Sequence, residues 1–366
     1  MSTRPIEASA SAAGVTLQQA LERIAKRAQA LDREPLFPRE NFDELLASGI
    51  LGTAAEDPGD LPAEIALVRA VAAADASTAR ILDGHLNGVE RLTRGADGDL
   101  RERELRAIRD GRLLLGVWGA DPAPGEGSPA QLVGRDGELR LRGVKTFCSG
   151  AGGVQRALVV ALDEQRRRRL VYLDTSEAIT IDRGWYRASG LRSSESHRVE
   201  FHDTPVIALL GEVGELSQEP WFSRDAVRTT ATWVGLCDCI VRSTLEVIDP
   251  ERASETQAHG IGQMIVAHAT IERWLAHAAL RLGGRDRGEA ADDDDPAPLV
   301  AQCRIAISAA SREIVALAAT TCGSRALAGG GALERARRDL DLFLLQHRLD
   351  PKITGLGQAA LQRQRR

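Results

Sequence analysis

The stretch ELRLRGVKTFCSGAGG, residues 138–153, begins with the pattern of a β-strand and ends in a glycine-rich segment. The prediction of the fold starts from this stretch. Polar and apolar side chains alternate over its first four residues, and that period is typical of a half-buried β-strand. Similar short segments, apolar or alternating, lie at 113–117, 157–162, 170–173 and 199–201, and clusters of Gly, Asp and Pro separate them. The middle of the chain is therefore predicted to form an antiparallel β domain.

Helical periodicity lies on both sides of these strands. Between residues 17 and 31, apolar side chains recur every three or four positions with Glu, Arg and Lys between them, which predicts an amphipathic helix. Pro38 and Pro62 open further predicted helices, and the helical period returns beyond Trp221. The predicted class is α+β, with an N-terminal all-helical domain over 1–111, a β-sheet or barrel domain over 112–216 and a C-terminal four-helix bundle over 217–366.

Composition excludes several classes of protein. With 43% hydrophobic and 27% charged residues, the 366-residue chain has the composition of a globular protein rather than a disordered one. Its 47 basic and 52 acidic residues favour no nucleic-acid partner. Five scattered cysteines indicate no disulfide framework. We find neither a signal-peptide pattern nor eighteen uninterrupted apolar residues, so the expected location is cytoplasmic, without a membrane partner.

Common catalytic motifs are absent from the sequence. The seven histidines form no HExxH pair, and neither a GxSxG elbow nor a GxxxxGK[ST] phosphate loop occurs. The glycines at 329–331 follow helical sequence rather than a strand, which argues against a Rossmann dinucleotide site. Hydrolase, metal-centre and NTPase functions are therefore disfavoured. The remaining evidence on function comes from the order of the segments along the chain.

Three segments in series match the motifs of one known family. Residues 37–52, FPRENFDELLASGILG, follow the pattern of its N-terminal helix, and residues 190–206, GLRSSESHRVEFHDTPV, follow the strand that closes its β domain. Within residues 138–153, the family's Gly, Lys, Trp and Thr or Ser positions correspond to Gly143, Lys145, Phe147 and Ser149. Over most of its length the chain resembles the acyl-CoA dehydrogenase superfamily of flavoproteins, with some features closer to its flavin-dependent monooxygenase branch.

The resemblance implies FAD as cofactor, with FMN as the alternative. Phe147 and Ser149 would face the isoalloxazine, since a planar ring needs an aromatic wall and a nearby donor. Arg252 and Gln263 are eleven residues apart, as in the family motif, and would reach the pyrophosphate and ADP across a subunit interface. Gly323 and Ser324 fall on the family's glycine-rich segment. A homodimer or homotetramer is therefore expected, although Phe147 could also be a core residue and Arg252 a helix start.

The catalytic base is where the chain departs from the family. Many members carry a glutamate nine residues after the Arg of an Arg-Asp pair, and that position here is His347, counted from Arg338. Other branches place the base on an earlier helix, at the position of Asp225. The family's TEP segment reads Ala120-Asp121-Pro122, so its flavin-contacting hydroxyl is missing. Asp225 could instead be a first-turn aspartate favoured by the helix dipole, and His347 a helix-end histidine.

Three functions follow from these residues. The first is α,β-dehydrogenation of an acyl thioester, with Asp225 or His347 as the base and an electron-transfer flavoprotein as partner. The second is a two-component monooxygenase that takes reduced flavin from a flavin reductase. In that enzyme the imidazole of His347 would hydrogen-bond a flavin peroxide or deprotonate a phenol-like substrate. The third is a flavin-binding scaffold without catalysis. Either enzyme would act on a small molecule, and in the first case on a CoA thioester.

Overall fold

The computed structural model describes residues 15–51, 60–134, 138–286, 295–346 and 348–365. Five named helices precede the sheet: α1 (Leu17–Arg33), α2 (Arg39–Ala47), α3 (Leu61–Ala74), α4 (Ala76–Gly95) and α5 (Gly98–Arg109). The strands are β1 (Leu115–Trp118), β2 (Gln131–Val133), β3 (Arg140–Cys148), β4 (Arg156–Leu162), β5 (Arg168–Asp174), β6 (Ile179–Asp182), β7 (His197–Pro205) and β8 (Ala208–Leu210). Five helices follow: α6 (Trp221–Val247), α7 (Glu255–Asp286), α8 (Ala297–Ala328), α9 (Ala332–Leu345) and α10 (Asp350–Gln364).

These elements form two compact units. The first contains α1, α2, α4 from Ser77 onward, α5 and the whole sheet. The second contains α3, the segment Ser189–Leu191 and the helices that follow Glu219. The predicted order of helices, strands and helices along the chain is therefore observed, and the α+β class is confirmed.

Local sequence explains how the first helix of the first unit begins. The Thr16 hydroxyl accepts the backbone N–H of Gln19, and the Gln19 side chain accepts the backbone N–H of Thr16, which together satisfy two donors that a helix leaves free at its start. Ala20, Ile24 and Ala28 form the buried stripe of α1. Their spacing of four residues is the one from which the helix was predicted.

The sheet is mixed, with a strand order of β6-β7-β3-β2-β4-β5-β8 and with β1 paired to β4. Five of the described pairings are antiparallel, as the sequence predicts, but β1 and β2 each pair with β4 in parallel, which the sequence does not predict. Leu115, Leu158 and Tyr172 from its strands form one core with Leu92 of α4 and Ile108 of α5. Burial of these side chains, worth about 1.5–3 kcal/mol each, holds the sheet against its helices.

The second unit is built around α6, which contacts α3, α7, α8 and α9. At Gly235 a β-carbon would collide with the Arg69 carbonyl oxygen, so glycine allows α3 and α6 to approach closely. Two residues before Gly235 in α6, the ring of Trp233 meets Phe343 edge-on, and the Arg304 guanidinium lies 5.0 Å from the centre of the same ring. A nearly all-round buried helix of this kind is a core element rather than a surface one.

One helix among the described residues, α8, is long and apolar enough to cross a membrane by length and composition. It contacts α6, α7 and α9, and it carries buried Arg304. A core helix of a globular protein passes the same test. The five cysteines of the chain are free, and four of them are buried.

Candidate functional site

The last residues of β3 contain an irregularity that redirects one aromatic side chain. In the pairing of β3 with β7, Lys145 lies opposite Val199 and Cys148 opposite His197, so β3 has one residue more than its partner over this interval. Phe147 occupies this bulge with φ +51°, in the left-handed region that bulky residues rarely adopt. Its side chain is 47% exposed, although Thr146 and Cys148 on either side are buried. The backbone therefore bears strain to hold an aromatic ring outward.

Phe147 is the centre of an aromatic cluster formed with Trp185 and Tyr186. The Phe147 ring meets Trp185 edge-on at 4.9 Å and Tyr186 edge-on at 6.5 Å between ring centres. Trp185 is fixed in turn, because its indole N–H donates to Glu126 Oε1 at 3.0 Å. Sequence reasoning identified Phe147 and missed the other two. The available signal was two adjacent large aromatic residues after Gly184, in a chain with only 4% aromatics.

Ser149 lies two residues beyond Phe147 and is held on both its backbone and its side chain. The Trp118 indole N–H donates to the Ser149 carbonyl oxygen at 3.1 Å. The Ser149 hydroxyl lies 2.9 Å from the hydroxyl of Ser196, which in turn lies 2.8 Å from that of Ser194. The structure thus brings two of the predicted cofactor residues, Phe147 and Ser149, together at the end of β3.

Lys145 fixes the segment that replaces the family's TEP motif. Its ammonium donates to Asp121 Oδ1 at 2.6 Å and to the Gly119 carbonyl at 3.2 Å. Burial lowers the pKa of Lys145, and the hydrogen bond to Asp121 opposes that shift. The Thr146 N–H also donates to the Ala120 carbonyl at 3.1 Å. Asp121 therefore serves to neutralise a buried cation and not to replace the missing hydroxyl.

The side chains of Glu195 and His197 form a polar pair next to the aromatic cluster. The His197 ring is edge-on to Tyr186 at 6.4 Å, and its Nε2 is 3.3 Å from Glu195 Oε1. Glu195 is buried, has φ +47°, and pairs with Arg183. Neither ring nitrogen of His197 has a hydrogen-bond partner among the residues that the structure describes. Sequence reasoning did not select His197, and its place opposite the bulge depends on strand register.

Asp225 is in the second unit, where it is part of an ion-pair network. Its Oδ1 lies 3.3 Å from Nη1 of Arg228, and Arg228 also donates from Nε to Glu64 of α3 at 2.6 Å. The helix α6 begins at Trp221 and has no acidic residue in its first turn, so the alternative of a first-turn dipole role is wrong. The catalytic role of Asp225 stays a prediction.

The remaining predicted cofactor residues lie in the second unit, and three of the four are exposed. Arg252 lies between α6 and α7 with an 88% exposed side chain, 3.7 Å from Asp249, and Gln263 is exposed on α7. Gly323 interrupts α8 with φ +72° and ψ 175°, and Ser324 beside it is exposed. The break adjoins the start of α7, since the side chain of Gln257 donates to the carbonyl of Thr321 at 3.4 Å. Gly323 and Ser324 are thus near the interval between Arg252 and Gln263 in the same unit.

His347 lies outside the residues that the structure describes. The Arg-Asp pair from which it was counted has a structural task. Asp339 is buried and accepts the Leu191 N–H at 2.7 Å, and Arg338 donates to the Ser189 carbonyl oxygen. The pair therefore anchors the Ser189–Leu191 segment onto the second unit.

A cleft of about 810 Å³ beside α5 is a weaker candidate for a site. Its charged residues neutralise one another, as in the ion pairs of Arg156 with Glu104 at 3.2 Å and of Arg106 with Glu102 at 2.6 Å. Within the described ranges, no group of three or more His, Cys, Asp or Glu side chains has an arrangement that could hold a metal ion. The aromatic cluster with Ser149 remains the candidate site.

Comparison with solved structures identifies the fold. No protein-family model and no curated protein matches the chain. The structure superposes on FMN-bound TdsC from Paenibacillus sp. A11-2, a dibenzothiophene monooxygenase, with a TM-score of 0.84 and 18% identity over 94% of this chain and 96% of that one. The chain has the acyl-CoA dehydrogenase fold. The fold that the sequence resemblance implied is thereby confirmed.

Two further structures with this fold match over nearly their whole length. Methanesulfinate monooxygenase MsuC from Pseudomonas fluorescens has a TM-score of 0.81 and 19% identity, with 95% of this chain and 97% of that chain covered. KijD3, solved with FMN and a dTDP-linked amino keto sugar, has a TM-score of 0.80 and 21% identity, with 97% of each chain covered. At these identities the similarity establishes the fold only. The reaction has to be inferred from the residues of the candidate site.

Proposed function

We propose that this chain is a flavin-dependent monooxygenase that binds FMN and acts on a small molecule. One observation carries the proposal: the bulge in β3 holds Phe147 outward at φ +51° within an aromatic cluster. Backbone strain and an exposed ring both cost free energy, about 1–3 kcal/mol for the strain alone. Such a feature persists in a folded protein when a bound partner uses it.

The residues of the candidate site fit a flavin. A planar ring system needs an apolar aromatic wall, which Phe147, Trp185 and Tyr186 supply, and a polar contact, which the Ser149 hydroxyl supplies. Bound reduced flavin supplies the reaction with molecular oxygen. The aromatic side chains orient the ring and exclude water, and Ser149 offers a hydrogen bond at its edge.

FMN is favoured over FAD as the cofactor. TdsC and KijD3 are FMN complexes of the same fold. The family resemblance assigns Arg252 and Gln263 to the ADP part of FAD, a part that FMN does not have. Titration of the purified protein with FMN and with FAD, followed by flavin fluorescence, tests this choice. Tighter binding of FAD, lost in Arg252→Ala, would favour the original FAD expectation.

Monooxygenation is favoured over dehydrogenation of an acyl thioester. A dehydrogenase needs a free carboxylate to remove the α-proton, and no glutamate follows the Arg338-Asp339 pair at nine residues. Asp225, the other candidate base, has its carboxylate in contact with the Arg228 guanidinium. TdsC and MsuC, two structural neighbours, are monooxygenases. In this function a separate flavin reductase is the partner that supplies reduced FMN.

The two enzymes give opposite results with purified protein. For the monooxygenase, reduced FMN generated by a flavin reductase should support incorporation of one ¹⁸O atom from ¹⁸O₂ into dibenzothiophene, indole or methanesulfinate, measured by mass spectrometry. For the dehydrogenase, anaerobic addition of an acyl-CoA series should bleach bound oxidised flavin. Bleaching without ¹⁸O incorporation would refute the proposal. Flavin binding with neither bleaching nor ¹⁸O incorporation would leave the scaffold function, and absence of flavin binding in any redox state would refute all three functions.

Variants of the two predicted catalytic residues sharpen this test. We expect His347→Ala to lower ¹⁸O incorporation by about 100-fold or more if the imidazole is the acid or base, and Asp225→Asn to leave it within about threefold. In the dehydrogenase the ranking is reversed, because an amide cannot accept the α-proton. Equal activity of both variants with wild type would remove both residues from the mechanism.

A further inference from the structure

A chain of three buried serine hydroxyls ends at Ser149. Ser194 and Ser196 precede β7, and Ser149 follows β3. The hydrogen bonds between these hydroxyls therefore link the segment before β7 to the segment after β3, next to the bulge. The oxygen atoms are 2.8 Å apart from Ser194 to Ser196 and 2.9 Å apart from Ser196 to Ser149. Among the described residues these three hydroxyls have no other hydrogen-bond partner.

Counting hydrogens gives the direction of this chain. Three hydroxyls carry three hydrogens, and the two bonds between them use two, which leaves one hydrogen to be satisfied elsewhere. A hydrogen left on Ser194, which is 0% exposed, or on the central Ser196 would be buried without an acceptor. Ser149 is the most exposed of the three, at 7%, and belongs to the candidate site. The favoured order of donation is therefore from Ser194 to Ser196 to Ser149, with the free hydrogen on Ser149.

The backbone around the two donor serines is held in place. The Gly150 N–H donates to the Ser194 carbonyl at 2.8 Å, and the Ala151 N–H donates to the Glu195 carbonyl at 3.2 Å. A fixed backbone limits the rotamers open to Ser194 and Ser196, so their hydroxyls are oriented before any ligand binds.

We propose that Ser196, supported by Ser194, is a positioning residue that keeps Ser149 a hydrogen-bond donor to the flavin. The inference rests on the proposed function, which places flavin beside Ser149. A donor stabilises an electron-rich reduced ring more than an oxidised one, because hydrogen bonds to charged groups are the stronger ones. The serine chain would therefore make the site prefer reduced flavin, which is the form that a two-component monooxygenase must capture from its reductase.

The test is a double-mutant cycle on flavin affinity. Dissociation constants of oxidised FMN and, under anaerobic conditions, of reduced FMN are measured for wild type, Ser196→Ala, Ser149→Ala and the double variant. We expect Ser196→Ala to reduce the preference for reduced FMN by ~3- to 10-fold, equivalent to a fall of ~15–30 mV in the two-electron potential of the bound flavin. In the Ser149→Ala background the same change should shift the preference by less than about twofold, because its effect passes through Ser149.

Ser193→Ala is the matched control. It removes a serine hydroxyl from the same segment, but that hydroxyl is not hydrogen-bonded to Ser149, Ser194 or Ser196. It should leave the preference unchanged. Ser194→Ala should shift the preference in the same direction as Ser196→Ala by a smaller factor, and it carries the test if Ser196→Ala folds poorly. An equal shift from Ser196→Ala in both backgrounds, or from Ser193→Ala, overturns the inference while leaving flavin binding intact. Failure of wild type to bind either form would instead refute the proposed function and this inference with it.

Discussion

Arg69 joins three helices of the second unit, and its removal gives a calculable loss of stability. Its guanidinium on α3 donates to both oxygens of Asp238 on α6, at 2.6 and 2.9 Å, and to Glu272 of α7 at 2.6 Å. His268 of α7 completes the group, with Nε2 at 2.6 Å from Asp238. Hydrogen bonds to Asp238 raise the pKa of Arg69 further, so the cation stays charged at every accessible pH.

The size of the stability loss on removing Arg69 follows from how exposed Arg69 and each of its partners are. Removing one member of a fully buried pair costs about 3–5 kcal/mol, but the Arg69 side chain is 29% exposed and Glu272 is more exposed still. The contact with Glu272 therefore adds little, and the contact with Asp238 dominates. We expect Arg69→Met, which keeps the length of the side chain, to lower the free energy of unfolding by about 2–3 kcal/mol at pH 7.

The loss should depend on pH in one direction. Burial opposes ionisation of Asp238, but hydrogen bonds from His268 and Arg69 hold its pKa below the usual value. Stability from a carboxylate with a depressed pKa is present above its unfolded pKa and disappears as pH falls through the folded one. The difference between wild type and Arg69→Met should therefore shrink below about pH 4.

Urea denaturation at pH 7 and at about pH 3, followed by tryptophan fluorescence, measures both quantities. Arg242→Met is the matched control, because Arg242 lies on α6 with an exposed side chain whose contacts, Glu246 at 3.8 Å and the Ala73 carbonyl at 3.0 Å, are on the surface. It should change stability by less than about 1 kcal/mol. A loss in Arg69→Met no greater than that in Arg242→Met, or a loss that is the same at both pH values, would refute the reasoning.

Three further outcomes are expected. Gly143→Ala should lower the free energy of unfolding by at least about 2 kcal/mol in urea denaturation, because Gly143 has φ +106° and a β-carbon there would lie 2.6 Å from the Pro129 carbonyl oxygen. Tyr172→Phe should cost about 1–3 kcal/mol, since it removes a buried 2.7 Å hydrogen bond to Glu104, and an unchanged denaturation curve would contradict that bond. Light scattering at micromolar concentration should find a dimer or tetramer, and a monomer would count against the subunit-spanning roles of Arg252 and Gln263.

Periodicity and motif order were sufficient for the architecture. The three- and four-residue spacing that predicted a helix at 17–31 contains the buried stripe of α1, and the alternation predicted at 138–141 overlaps the start of β3. These signals are local, because burying one face of a helix or strand requires apolar residues at a fixed interval. The serial match around Phe147 and Ser149 then identified the fold, which the superpositions confirm.

Contacts between distant segments required the tertiary structure. The parallel pairing of β1 with β4, and the contact of Arg228 with Glu64, depend on how elements pack and have no local pattern. The same is true of the site: one extra residue in β3 relative to β7 turns Phe147 outward and sets Ser149 against Ser196, 47 residues away. By itself the sequence determined which residue types occur in which order and with which period. Strand register decided which of them touch, because a shift of one residue sends every side chain of a strand to the opposite face.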